Sequence, residues 1–70
     1  MTIQYYEDTD TLYIILKEGD VAQKRGLDKN TVVEYDAKGN LVSMTVGHAR
    51  KRTDVGRIYF RRAPTMKPMA

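Results

Sequence analysis

Residues 8–17 have the sequence D-T-D-T-L-Y-I-I-L-K, a polar turn that leads directly into the most apolar run of the chain. The part from Thr11 to Lys17 is β-branched, aromatic or aliphatic and contains no glycine or proline, which is typical of a β-strand. Asp8 and Asp10 precede it. Two carboxylates are too few ligands for a calcium loop, whereas aspartates often shape turns by bonding nearby backbone N–H groups. The stretch therefore predicts a hairpin turn followed by a largely buried strand.

The same pattern continues along the chain on both sides of this strand. Short β-forming segments bounded by turn residues are predicted at 3–6, 11–17, 21–25, 31–35 and 41–46. The sequence D-A-K-G-N at 36–40 is the strongest hairpin signal, because Gly39 can adopt the left-handed conformation that such a loop needs. No window shows a helical stripe. We therefore expect an all-β or mainly β fold, a small antiparallel meander of five to six strands.

The size of the chain makes association with a partner an expectation. Seventy residues form one small domain, and a domain of this size buries only about 60% of its unfolded surface. There is no cysteine, so neither a disulfide nor a thiolate-bound zinc can add stability. In the strand at 11–17 both faces are apolar, and a stable domain needs two packed layers. We expect a homodimer, or another protein, to provide the second layer.

Charge is distributed unevenly along the chain. Residues 1–47 have five basic and eight acidic side chains, whereas residues 48–70 have seven basic and one acidic. We therefore divide the chain into a β-domain at 1–47 and a basic C-terminal extension at 48–70, with a candidate last strand at 57–61 and then a tail. Such an asymmetry favours an acidic partner, either nucleic acid or protein.

The extension holds the candidate binding residues. Its basic side chains can neutralise phosphates, and Tyr59 and Phe60 can stack on exposed bases. Alternatively, Ile58 and Phe60 can anchor a strand that is added to the edge of a partner's sheet. A third alternative is structural, in which the segment closes this protein's own sheet or that of a dimer partner. The candidate site consists of Arg50, Lys51, Arg52, Arg57, Ile58, Tyr59, Phe60, Arg61 and Arg62.

The sequence does not predict an enzyme. The run E-Y-D-A-K at 34–38 resembles a nuclease metal site, but it overlaps the predicted hairpin turn, which accounts for its residues. His48 is the only histidine; Ser43 lies five residues before it, but no third member of a catalytic group is evident. Its basic neighbours favour His48 as a member of a basic patch. A phosphate-binding G-x-x-x-x-G-K loop is absent. We therefore expect no cofactor and no metal site.

No apolar stretch approaches the ~20 residues that a membrane span needs. The first residues also lack the basic and apolar regions of a signal peptide. A cytoplasmic protein with no membrane partner is expected.

The residues Y-Y-E-D-T-D-T-L-Y-I-I-L-K-E-G, followed later by V-V-E-Y-D-A-K-G-N-L-V-S-M, resemble a family of small prokaryotic proteins called domain of unknown function 2283. The resemblance covers residues 3–47, and its matching positions are Tyr6, Asp8, Asp10, Leu12, Tyr13, Ile14, Val33, Tyr35, Asp36, Gly39 and Val42. It implies a small β-rich cytoplasmic protein of bacterial type. Since members of the family are found beside small toxin-like proteins in genomes, it also implies an antitoxin-like role for some. The basic extension departs from the family pattern.

Two functions are therefore predicted for the extension. In the first, the protein is an antitoxin-like binding module that occludes a toxin-like partner. Arginines would pair with acidic groups of the partner, and Ile58 and Phe60 would be buried in the complex. In the alternative, the same segment binds nucleic acid directly, with an affinity that falls steeply as salt is added.

Overall fold

The computed structural model describes residues 1–65, and within them it has five β-strands and one short helix. The last residues of the predicted tail, 66–70, lie outside the described part. Strands β1 (Thr2–Tyr6) and β2 (Thr11–Ile15) form an antiparallel hairpin. Asp10, at the end of the intervening turn, has a φ of 51°, a left-handed conformation that aspartate tolerates better than most residues. The predicted turn and strand are confirmed, although the strand ends at Ile15 and not at Lys17.

The second half of the sheet contains the predicted loop at 36–40. Its strands are β3 (Gln23–Asp28), β4 (Thr31–Tyr35) and β5 (Leu41–Val46). Between β4 and β5, Oδ1 of Asp36 accepts the backbone N–H groups of Lys38 at 2.9 Å and Asn40 at 2.8 Å. Gly39 has a φ of 85°, as the turn requires. This hairpin prediction is also confirmed.

The five strands form one antiparallel sheet in the order β1-β2-β5-β4-β3. The mainly β, antiparallel fold class is therefore confirmed. The order is not that of a simple meander, in which β2 would lie beside β3. The polarity of the strands explains this difference: all six residues of β3 are exposed, which suits a sheet edge, whereas β5 has three buried residues and lies in the centre.

After β5 the chain leaves the sheet. His48 has a φ of 50° and is followed by the four-residue helix α1 (Ala49–Arg52). Residues 57–61 do not form the candidate sixth strand. The one backbone hydrogen bond donated from this segment, among the described residues, runs from Arg57 to the carbonyl of Asp54 and belongs to a turn. A segment with an alternating pattern forms a strand only where it can pair in register with a free sheet edge. Here the left-handed residue His48 and helix α1 direct the chain away from such pairing.

The core lies on one face of the sheet. Leu12, Val46 and Ala49 are buried against one another. Partly buried side chains that pack on this cluster are Tyr5, Ile14, Met44 and Val55. Helix α1 and Val55 thus supply a small second layer at one end of the sheet. No helix in the described part of the chain is long and apolar enough to span a lipid bilayer.

On the opposite face of the sheet Ser43 is completely buried, but the row beside it is only half-buried. Cross-strand pairing puts Tyr13, Thr45 and Val32 in one row on this face, since directly paired residues lie on the same side. All three have intermediate exposure, and among residues 1–65 no helix lies on this side. Coverage of this face by a second copy of the chain stays a prediction.

Candidate functional site

Helix α1 is joined to the first hairpin through Asp10. The backbone carbonyl of Asp10 accepts the N–H of Ala49 at 3.0 Å, and its carboxylate oxygen Oδ1 accepts the N–H of Arg50 at 3.1 Å. Both N–H groups lie in the first turn of the helix, where there is no intrahelical acceptor. Asp10 therefore determines where α1 begins, in addition to shaping the predicted turn.

The side chain of Arg50 is bound to the same hairpin. Its Nε donates to the hydroxyl of Tyr5 at 2.8 Å, and its Nη2 donates to the carbonyl of Glu7 at 3.2 Å. The Tyr5 hydroxyl in turn donates to Oδ1 of Asp10 at 2.6 Å. This bond from Tyr5, supported by the N–H and the charge of Arg50, lowers the pKa of Asp10 below its ordinary value of 3.8. The bond to Asp10 also raises the pKa of Tyr5, so at neutral pH the carboxylate is ionised and the phenol is protonated.

Arg52 makes an equivalent set of contacts with the turn between β3 and β4. Its Nη2 donates to Oδ2 of Asp28 at 3.1 Å, and its Nη1 donates to Oγ1 of Thr31 at 2.5 Å. The backbone N–H of Asn30 also donates to Asp28, at 2.8 Å. That N–H is the main cause of a lowered pKa at Asp28, and the charge of Arg52 adds to it. Arg52 thus fastens the second end of α1 to a different hairpin.

These contacts bear on the roles of three predicted site residues, Arg50, Lys51 and Arg52. Arg50 and Arg52 were predicted to face a partner, but both have acceptors within the protein and hold α1 between two hairpin turns. Lys51, between them, makes no ion pair with any residue of the described part. The basic run at 50–52 therefore contains two anchoring arginines and one lysine available to solvent.

The predicted site residues beyond α1 are exposed. The large side chains of Ile58, Tyr59 and Phe60 are 52%, 77% and 77% exposed, respectively. Arg57 lies 3.9 Å from Asp54, and both groups are largely in solvent, so this pair contributes little stability. Arg61 and Arg62 have no carboxylate partner within residues 1–65. We call residues 57–62 the exposed segment.

The exposed segment passes the N-terminal edge of the sheet. Phe60 lines an open cavity of about 390 Å³ together with Met1 and Ile3, and Ile3 belongs to the edge strand β1. All three side chains are exposed. The apolar surface of the segment is therefore continuous with apolar surface on β1.

Asp36 and Glu34, the acidic residues of the run at 34–38, both accept hydrogen bonds within the fold. Asp36 accepts hydrogen bonds from its own loop and from Nζ of Lys17 at 2.8 Å, and the Lys17 contact is the main cause of a strongly lowered pKa. Glu34 accepts from the buried hydroxyl of Ser43 at 2.6 Å. Within residues 1–65 no group of three or more histidine, cysteine or acidic side chains is arranged to hold a metal ion.

The residues that accept hydrogen bonds from Arg50 and Arg52 were not predicted from the sequence. Tyr5 and Asp10 face each other across a hairpin, five positions apart, and a predicted hairpin with a tyrosine and an aspartate at these positions could have indicated their contact. Asp28 and Thr31 flank a two-residue turn. Nothing local in the sequence shows that a helix 20 residues later returns to this turn.

Of the comparisons with known proteins, one identifies a family. A family model described as "Protein of unknown function (DUF2283)" matches residues 2–50. No curated protein and no solved structure matches the chain.

Proposed function

The chain belongs to the DUF2283 family, and from this premise we propose that it is a small β-sheet module that binds another protein through its exposed segment. The observation that carries the proposal is the run Ile58-Tyr59-Phe60, three consecutive large apolar side chains that are all more than half exposed. Contiguous apolar surface of this kind on a soluble domain is typical of an interaction site.

The charge around this apolar run supports a partner with an acidic surface. Arg57 precedes it, and Arg61 and Arg62 follow it, whereas Asp54 is the one acidic side chain in the sequence from 48 to 70. Aromatic residues and arginine are the residues most enriched at energetic centres of protein interfaces. The partner would bury the apolar side chains and offer carboxylates to the arginines.

The mechanism we propose is occlusion. If the partner uses its carboxylates for its own activity, arginines paired with them would block that activity. This is the antitoxin-like role, with a small toxin-like protein of the same cytoplasm as partner. Because Arg50 and Arg52 are engaged within the fold, the arginines available for this role are those of the exposed segment.

We also propose that the protein is a homodimer through the half-buried face of the sheet that contains Tyr13, Thr45 and Val32. Five apolar residues are buried in the described part of the chain, and a core of this size is marginal without a second layer. Sedimentation equilibrium tests this directly: a dimer should dissociate when Tyr13 and Val32 are both changed to Asp, and a monomeric wild-type protein would overturn it.

The binding proposal is tested by capture from the cells that produce the protein. The tagged chain is washed at low and at high salt, and both protein and nucleic acid in the eluate are identified. The proposal expects one acidic protein, retained through high salt by the wild-type chain and lost from an Ile58→Ala/Phe60→Ala variant. Leu27→Ala is the matched control, since Leu27 is an apolar residue of similar exposure, 58%, at the other edge of the sheet.

Three outcomes would decide against the proposal. Retention of the same protein by the Ile58→Ala/Phe60→Ala variant would remove the segment from the interface. Loss with Leu27→Ala as well would mean that any apolar surface captures it. Nucleic acid that leaves at high salt, with no protein companion, would support the alternative that the segment binds phosphates and stacks on bases.

A further inference from the structure

A second basic surface lies between the β3–β4 turn and helix α1. It is an open cavity of about 390 Å³. The residues that line it are Lys29, Asn30, His48, Lys51 and Arg52. Four of the five side chains are cationic or can become so, and none belongs to the exposed segment. We call this cavity the basic pocket.

The positive charge of the basic pocket is only partly cancelled by its neighbours. Asp28 pairs with Arg52, and Asp10 pairs with Arg50 outside the lining of the pocket. Lys29 and Lys51 have no carboxylate within 4.0 Å among the described residues, so they provide the excess positive charge. A concave surface with excess charge of one sign focuses the electrostatic field and concentrates ions of the opposite sign.

The walls of the basic pocket are held in place by contacts within the protein. The N–H of Gly47 donates to the carbonyl of Asn30 at 2.7 Å, which ties the β3–β4 turn to the end of β5. The guanidinium of Arg52 is fixed by Asp28 and Thr31. These contacts use three of its five N–H donors, which leaves two for a ligand. A site whose groups are already ordered loses less entropy when it binds.

His48 also lines the basic pocket. Its φ of 50° lies in the left-handed region, which histidine adopts more often than most residues with a Cβ. It is the single histidine of the chain, so its ring is a specific reporter of this pocket.

We propose that the basic pocket binds a phosphate group. Two lysine ammonium groups on opposite walls act as point charges, and the free N–H groups of the Arg52 guanidinium supply directional donors, which is the combination that phosphate oxygens accept. The phosphate is either a free anion or part of a nucleic-acid backbone, since both present the same oxygens. The proposal does not depend on the protein partner of the exposed segment.

His48 provides the measurement, because its ring protons give the only histidine signals in the NMR spectrum. The probes are inorganic phosphate, pyrophosphate and a single-stranded oligonucleotide, each titrated at constant pH with the ionic strength held level by NaCl. We expect saturable movement of the His48 signals. Loss of one nearby charge, in Lys29→Ala or Lys51→Ala, should weaken binding about fivefold.

Lys38→Ala is the matched control. It removes the same charge from an exposed lysine in the β4–β5 turn, at the other end of β4. The affinity of this variant for each probe should equal that of the wild type. Neither Lys29 nor Lys51 makes an ion pair with a described residue, so both variants should fold, and the amide spectrum verifies this. If one of them does not fold, Lys→Gln at the same position replaces it.

The results distinguish the source of the phosphate and can overturn the proposal. Pyrophosphate binding as tight as that of the oligonucleotide indicates a free anion, whereas an oligonucleotide that binds at least about tenfold more tightly indicates the backbone. The proposal is overturned if no probe causes a saturable change in the His48 signals. It is also overturned if Lys38→Ala loses as much affinity as Lys29→Ala and Lys51→Ala. The Ile58→Ala/Phe60→Ala variant should titrate like the wild type, so failure of the protein-binding proposal is seen separately.

Discussion

Two arginine-rich segments follow the sheet, and they behave in opposite ways. In α1, Arg50 and Arg52 reach back to Asp10 and Asp28, and Ala49 beneath them is completely buried. In the exposed segment, three arginines flank three large apolar side chains that remain in solvent. Both segments are rich in arginine. They differ in whether a hairpin turn presents a carboxylate within reach of the arginines, so basic character alone does not separate an anchored segment from an exposed one.

The largest effect on stability is expected from a substitution in α1, the anchored segment. Ala49→Glu places a carboxylate among Leu12 and Val46, where nothing neutralises it, and should cost roughly 3 kcal/mol of the free energy of unfolding. Ala63→Glu makes the same change at an exposed position beyond the exposed segment and should cost nothing measurable. Urea denaturation of both variants checks this. Equal stability of the two would mean that α1 is not packed on the sheet.

A smaller effect is expected from Asp10→Asn. Asparagine tolerates the left-handed backbone at this position, so the change removes the charge that Tyr5 and Arg50 bind without adding strain. The free energy of unfolding should fall, but by less than for Ala49→Glu, and hydrogen exchange at the N–H groups of Ala49 and Arg50 should accelerate.

Asp54→Asn is the matched control, because it breaks the exposed pair with Arg57. This change should alter neither stability nor exchange at α1. A loss of stability as large as that of Asp10→Asn would show that the two arginine-rich segments are anchored to the same degree, against the comparison above.

Acid should destabilise the anchored segment and also the β4–β5 turn, where Asp36 has a lowered pKa as well. The pKa values of Asp10 and Asp28 are lowered in the folded protein, below an ordinary value of 3.8. The unfolded chain therefore binds more protons as the pH falls, so the stabilisation is complete well above pH 3.8 and is lost as the pH drops through and below it. The free energy of unfolding, measured from about pH 6 to pH 3, should decline. The decline should be shallower in Asp10→Asn, and a flat wild-type profile would contradict this account.

The smallest effect on stability is expected in the exposed segment. Phe60→Ser removes a ring that is 77% exposed and should change the free energy of unfolding by less than about 0.5 kcal/mol, as surface substitutions usually do. The same variant should lose the protein partner in the capture experiment. A loss of stability above about 1 kcal/mol would mean that the ring packs on Met1 and Ile3 as part of the fold.

The elements of the sheet could be predicted from local sequence because local chemistry determines them. Asp36 and Gly39 specify one turn, Asp10 ends another, and the apolar residues of β2 indicate a strand. The order of strands could not be predicted in this way, since β2 and β5 pair across some 30 residues of chain. Their pairing depends on which strands are apolar enough for the centre of the sheet.

The candidate site was predictable only in part, for the same reason. The residue types and the region were evident from charge, but Arg50 and Arg57 look alike until the position of Asp10 is known. The strand predicted at 57–61 is absent from the structure. The alternation of apolar and polar residues describes the segment itself and does not show whether a sheet edge is available to pair with it. Lys29 was not considered for a site, since it joins His48 and Lys51 only after the β3–β4 turn approaches α1.

The position of β5 also determines when this protein can fold during its synthesis. The strand between β2 and β4 is the last of the five to leave the ribosome. Until residue 46 has emerged, the nascent chain holds two separate hairpins, and an isolated hairpin is at best marginally stable in water. The complete sheet can therefore assemble only after β5 has emerged. A chain that terminates before β5 leaves no folded fragment and exposes the edges of β2 and β4 to aggregation.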